Sequence, residues 1–108
     1  MVIDAYTLIR LRQNVWPALE SAYQLPYGLL NSIATYETRG TFRDETSAAG
    51  ARGIFQLTPI ALEQVRRDVG VNFDPSNPYS ASTAAAILLS RYFKIFTYPS
   101  LVVAAYNW

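Results

Sequence analysis

Apolar positions recur at helical spacing along much of this chain, in blocks separated by glycine- and proline-containing breaks. In the first block Leu8, Leu11, Val15 and Leu19 share one helical face, and Asp4 stands where it can cap the helix they define. Pro17 inside that block predicts a kink or the opening of a new turn. "YQLPYG" then interrupts the pattern. Pro26 suits the first turn of a second helix, running to about Thr38 and ended by Gly40. Residues 41–57, "TFRDETSAAGARGIFQL", lose the periodicity. Small residues, two glycines and mixed charge there predict an irregular loop with at most one short strand or hairpin. Thr58 caps a further helix with Pro59 at its first position, Leu62, Val65 and Val69 along one face, and Gly70 at its end. After the turn-rich "VNFDPSNPYS", a long helix is expected from about Ser80 to Phe96. Pro99 opens the last segment, "SLVVAAYNW", whose apolar run suits a buried strand as well as a helix. The pattern as a whole predicts a mainly α, compact fold, with residues 1–108 forming a single domain.

Composition narrows the chemistry. A chain of 108 residues, 51% hydrophobic and 16% charged, supports one core and not two. Nine basic and eight acidic residues leave a formal charge of +1. That balance gives nucleic acid no electrostatic footprint, and no polybasic run marks a membrane surface. The chain has no cysteine and no histidine. Disulfides, thiolate nucleophiles, zinc fingers and histidine-based triads or metal clusters are thereby excluded, and no cofactor is expected. Any catalysis falls to carboxylates, hydroxyls and amides. No apolar stretch reaches the ~20 residues needed to span a bilayer, so no membrane insertion is expected. The start, "MVIDAYTLIRLRQNVW", lacks the basic opening and continuous apolar block of a signal peptide. Eight tyrosines, two tryptophans and five phenylalanines serve mostly as core, though tyrosine and tryptophan also make platforms for sugars.

Three places carry candidate chemistry. At 100° per residue, Leu30, Ile33 and Glu37 fall within about 60° of one another, so the Glu37 carboxylate shares the core-facing stripe of its helix. Desolvation and the negative end of the helix dipole both raise its pKa, towards the protonated form a general acid needs. The alternative is a helix that frays at Tyr36, with Glu37 reaching solvent beside Arg39. Asp44 and Glu45 are either surface charges or the source of a second carboxylate, as in many glycosidases. In "GARGIFQL", Gly50 and Gly53 permit a sharp turn or a close approach of backbone to a ligand. Gln56 adds a donor and an acceptor suited to an N-acetyl group or a sugar hydroxyl. A purely structural loop is the plainer reading. The final "AAYNW" brings the Tyr106 phenol and the Asn107 amide, as partners for a carboxyl across the core or as a terminal aromatic cluster.

Taken together, "LPYGLLNSIATYETRG", "SAAGARGIFQLTP", "DPSNPYSASTAAAILLSRYF" and "LVVAAYN" resemble, in order and spacing, the soluble lytic transglycosylase family over roughly residues 22–107. That resemblance implies a lysozyme-like fold with a helical last segment, and cleavage of the glycan of peptidoglycan. It implies that Glu37 is the catalytic acid and then base, and that Ser47, Gly53, Gln56, Tyr106 and Asn107 bind substrate. Tyr106 would also hydrogen-bond and orient Glu37. The chain departs from the family at Thr38, where serine is usual, at Phe55, where methionine is usual, and at Trp108, where a small residue is common. Family members also continue beyond that point, which puts the C-terminal wall of the cleft in doubt. The implied partners are peptidoglycan glycan strands, with the chain acting in the periplasm or cell wall as a monomer or within a larger phage or cell-wall assembly. Because no export signal is read, the expectation is a phage-borne protein delivered by a virion or by lysis, or a sequence lacking its native N-terminus. Three functions stay open: a transglycosylase, a lysozyme-type hydrolase in which water replaces the muramoyl C6 hydroxyl, and a non-catalytic glycan-binding or structural module.

Overall fold

The structure, a computed structural model, describes residues 3–106, so Asn107 and Trp108 lie outside the described residues. Asp4 caps the first helix as expected: its carboxylate accepts from the Thr7 N–H at 2.8 Å and from the Thr7 hydroxyl at 2.9 Å. After this helix, α1 (Ala5–Arg10), Pro17 stands in the first turn of a new helix, the second of its two expected roles. Proline has no N–H to donate and its ring crowds the carbonyl four residues back. The chain passes through a π-helical stretch, Leu11–Val15, in which the Trp16 N–H reaches back to the Leu11 carbonyl, and resumes as α2 (Trp16–Ala22).

The next helix, α3, spans Leu29–Thr38 and begins later than Pro26 suggested. Pro26 lies instead in a turn closed by the Leu29 N–H on its carbonyl at 3.2 Å. The N-cap is Gly28, at φ 87°, which has no side chain to cap with. The cap comes from α2. Glu20, only 3% exposed, accepts from the Gly28 N–H at 3.1 Å and from the Leu30 N–H at 2.9 Å. A carboxylate at a helix N-terminus meets both the orphan N–H groups and the positive end of the dipole. Glu20→Gln puts an amide NH₂ against one of those donors, and is expected to cost about 1–3 kcal/mol in urea denaturation. An unchanged midpoint would mean that the cap contributes nothing.

Thr58 caps α4 (Pro59–Val69) through the Ala61 N–H at 3.1 Å, and Gly70 ends it in the left-handed conformation, both as expected. Asn77 caps α5 (Pro78–Ile95), which starts two residues before Ser80 because Pro78 takes the first helical position. The last segment is helical: α6 covers Pro99–Tyr106. α5 is the axis of the molecule. Ala81, Ser82 and Ala84 through Leu89 are buried, and the helix packs against α2, α3, α4 and α6. Its alanines let neighbouring helices approach closely. The Trp16 indole N–H, buried beside it, donates to the Ser82 hydroxyl at 2.8 Å, which donates on to the Pro78 carbonyl at 2.6 Å.

Residues 41–57 form the irregular loop, with isolated antiparallel bridges Thr46–Arg52 and Arg52–Leu57 as the only β pairing among the described residues. Arg52 and Leu57 exchange both backbone hydrogen bonds at 3.0 Å, which closes a tight turn over Gly53–Gln56. Ile54, Phe55 and Leu57 sink into the core, and the Phe55 ring meets Trp16 edge-on at 5.8 Å between centroids. Among the described residues no helix is long and apolar enough to cross a membrane.

Candidate active site

Periodicity placed Glu37 on a core-facing stripe, and the structure puts it at the last turn of α3, half-buried, between exposed Tyr36 and buried Thr38. The helix does not fray at Tyr36; it runs on to Thr38, whose hydroxyl donates to the Ala34 carbonyl at 2.7 Å. Burial pushes the Glu37 carboxyl above its ordinary value of 4.5. Among the described residues no cation or hydrogen-bond donor meets that carboxyl, so nothing offsets the desolvation.

Glu37 lines a cavity of about 260 Å³ that brings Ser47 and Gln56 to the same wall, together with Arg39, Arg43 and Glu45. A larger space of about 510 Å³ adjoins it across Gln56, which lines both; its wall includes Gln64, Tyr92 and Tyr106. Among the described residues the larger space holds no carboxylate. We place the candidate centre at the smaller one, because it carries the acid with the raised pKa, and read the larger as its extension.

Gln56 is held in a defined state. Its amide nitrogen donates to the Glu45 carbonyl at 2.8 Å and the Gly53 carbonyl at 2.9 Å. Both acceptors are backbone carbonyls, which fixes the amide orientation and leaves the side-chain oxygen to accept from a ligand. Ser47 is exposed at the rim, its hydroxyl accepting from the Ala51 N–H at 3.1 Å.

Tyr106 differs from what the resemblance implied. Its hydroxyl donates to the Phe55 carbonyl at 2.7 Å, not to Glu37. A phenol has one proton, and that proton ties the end of α6 to the turn that holds Gln56. Burial, with the neighbouring Glu37 carboxylate and Tyr92 adding to it, raises the Tyr106 pKa well above 10.0, so the phenol stays neutral. Its oxygen retains lone pairs that can accept from a protonated carboxyl. Gly53 lines none of these cavities; it is buried against the backbone of Pro75 and shapes the turn. Asp44 lines a separate pocket with Ile3, Asp4 and Ser76, away from Glu37.

Sequence reasoning did not single out Arg39 or Arg43 for this cavity, nor Glu20 for the cap. One local signal existed for the first: "TRG" places an arginine at a helix end immediately before the glycine expected there.

Helices packed around a buried central α5, with Glu37 on a cavity wall at the end of α3, make this a mainly helical domain with a candidate active-site cleft. The fold matches the X-ray structure of an inactive Glu-to-Gln mutant of the lytic transglycosylase Slt from Pseudomonas aeruginosa, with a TM-score of 0.77 and 21% identity over 91% of this chain. The chain spans 17% of the length of that protein. No curated protein matches the sequence. The model of the transglycosylase SLT domain matches residues 14–108, and the chain belongs to that family.

Proposed function

We propose that this domain is a lytic transglycosylase acting on peptidoglycan glycan strands, with Glu37 as acid and then base. The observation that carries the reading is a half-buried carboxyl of raised pKa, without a partner among the described residues, on a cavity wall shared with Ser47 and Gln56. Protonated Glu37 donates to the oxygen between N-acetylmuramic acid and N-acetylglucosamine. The bond from that oxygen to C1 of the muramoyl sugar breaks, and C1 takes oxocarbenium character, supported by the oxygen of its own 2-acetamido group. Anionic Glu37 then takes the proton from the C6 hydroxyl of the same sugar. O6 closes on C1 as a 1,6-anhydro ring, and Glu37 is protonated again. One group serving both steps needs a pKa above the ordinary carboxylate range, and partial burial shifts Glu37 in that direction. Gln56 offers its oxygen to a sugar hydroxyl or an acetamido N–H. Asn107 remains a proposed cleft residue on the strength of the resemblance.

A second reading is favoured by one observation: Glu45 lines the same cavity as Glu37. Were it to activate water, the products would be hydrolytic, with ordinary reducing ends. Digestion of purified peptidoglycan followed by mass spectrometry decides between the two. Soluble fragments one water lighter than hydrolysis products are expected, and Glu45→Gln is expected to leave their mass unchanged. Reducing-end fragments that disappear with Glu45→Gln would replace the transglycosylase reading with the hydrolase. Binding to insoluble peptidoglycan without release of fragments would identify a non-catalytic module.

A further inference from the structure

The wall that carries Glu37 also carries two arginines, Arg39 and Arg43. Among the described residues neither guanidinium forms an ion pair; the ion pairs join Glu63 to Arg66 and Arg67, and Asp68 to Arg91, on other elements. Arg39 occupies a position that the backbone would give to glycine. It is the C-cap of α3, at φ 54°, where helices favour glycine or asparagine and a larger side chain is strained. Gln56, on the same cavity, is also held at positive φ, 49°. Gln24 and Phe42 share this conformation away from the wall, so the weight falls on where Arg39 and Arg43 stand, on one cavity wall with Glu37. With Glu37 protonated, the described residues of the cavity wall carry two permanent cations, Arg39 and Arg43, against one carboxylate, Glu45. A guanidinium stays charged at any working pH and pairs with carboxylates in a fixed fork geometry.

We propose that Arg39 and Arg43 form an anion subsite that takes a carboxylate carried by muramic acid, beside the acid that cleaves its glycosidic bond. The inference rests on the glycan-cleaving reading above and names the part of the substrate that the site selects. Muramic acid differs from N-acetylglucosamine by a lactyl ether, whose carboxyl is either free or extended by a peptide stem with carboxylates of its own. A cationic wall next to Glu37 favours muramic acid there over an uncharged sugar.

The test is calorimetric titration of the Glu37→Gln protein with three soluble glycan probes. These are strands bearing peptide stems, strands stripped of stems to leave free lactyl carboxylates, and stripped strands with those carboxyls converted to methylamides. The charged strands are expected to bind about tenfold more tightly than the neutral ones, with the gap closing as salt is added. Stripped strands that match the stem-bearing ones assign the lactyl carboxylate; a clear preference for stems assigns the stem carboxylates. Combining Arg39→Gly with Arg43→Gln is expected to abolish the difference. Glycine suits the backbone at residue 39, so the melting temperature should hold or rise while binding falls, which separates a binding role from a structural one. Equal affinity for charged and neutral strands, an unchanged preference in the double variant, or no binding of any probe overturns the subsite. Cleavage by the protein with Glu37 intact is scored separately. Failure to release fragments would overturn the catalytic reading while the titrations still decide the subsite.

Discussion

Glu37→Gln is expected to keep the fold and lower release of soluble glycan by about 10²–10⁴-fold, the usual range for loss of a general acid. The substitution preserves shape and removes only the transferable proton, so a fall of this size reports chemistry and not packing. Turnover within a few-fold of the unchanged protein would move the catalytic role elsewhere. The pH profile has a definite sign. The first step needs protonated Glu37, and burial raises the pKa of that group, so kcat/KM holds at low pH and falls as pH rises through the raised value. Stability runs the same way. A carboxyl whose folded pKa lies above its unfolded value binds its proton more tightly in the fold. Its contribution is therefore fully present below the ordinary value of 4.5 and is lost as pH rises through the folded pKa. Glutamine carries no such penalty. The Glu37→Gln protein should melt at a higher temperature than its parent at neutral pH, with the two converging in acid. A variant that is inactive and more stable has the signature of a site that trades stability for function.

What the sequence disclosed and what it concealed follow from how local each interaction is. The helix from Pro59 to Val69 was legible at both ends, because Thr58, Pro59 and Gly70 act on their own neighbours. The start of α3 was not. Its cap is a carboxylate from another helix, and no local pattern around Pro26 contains Glu20. The sequence left α6 open between helix and strand because "SLVVAAY" is apolar on nearly every side, so periodicity had nothing to register. The resemblance to the family resolved it correctly. Half-burial of Glu37 was readable from its spacing to Leu30 and Ile33. The destination of the Tyr106 proton was not, since it depends on where the Phe55 carbonyl lies across the core. Arg39, the C-cap of α3, and Arg43, in the loop that follows, share a wall with Glu37 only because the fold curves that loop back past the helix end.

That curvature depends on one close approach, and Gly53→Ala is expected to destroy it. Gly53 sits at φ 78°, and a Cβ built there would fall 1.8 Å from the Pro75 carbonyl oxygen. The atom in the way is backbone, so no side-chain rotation relieves the clash. Either the turn over Gly53–Gln56 or the segment before α5 must move. The turn is anchored by the core side chains of Ile54, Phe55 and Leu57 and by the Tyr106 hydrogen bond, so its displacement strips several buried contacts at once. We expect a loss of about 4–5 kcal/mol or more, a range reached only by severe core or backbone defects. Activity should fall with it, because Gln56 travels with the turn. Gly70→Ala supplies the control. That residue has a similar φ of 75°, and a Cβ there would meet nothing within 4 Å. Its cost should be the conformational term alone, about 1–2 kcal/mol. Urea denaturation of both variants isolates the contact with Pro75: a large difference assigns it to the close approach, and equal losses would leave only the backbone conformation to explain the glycine.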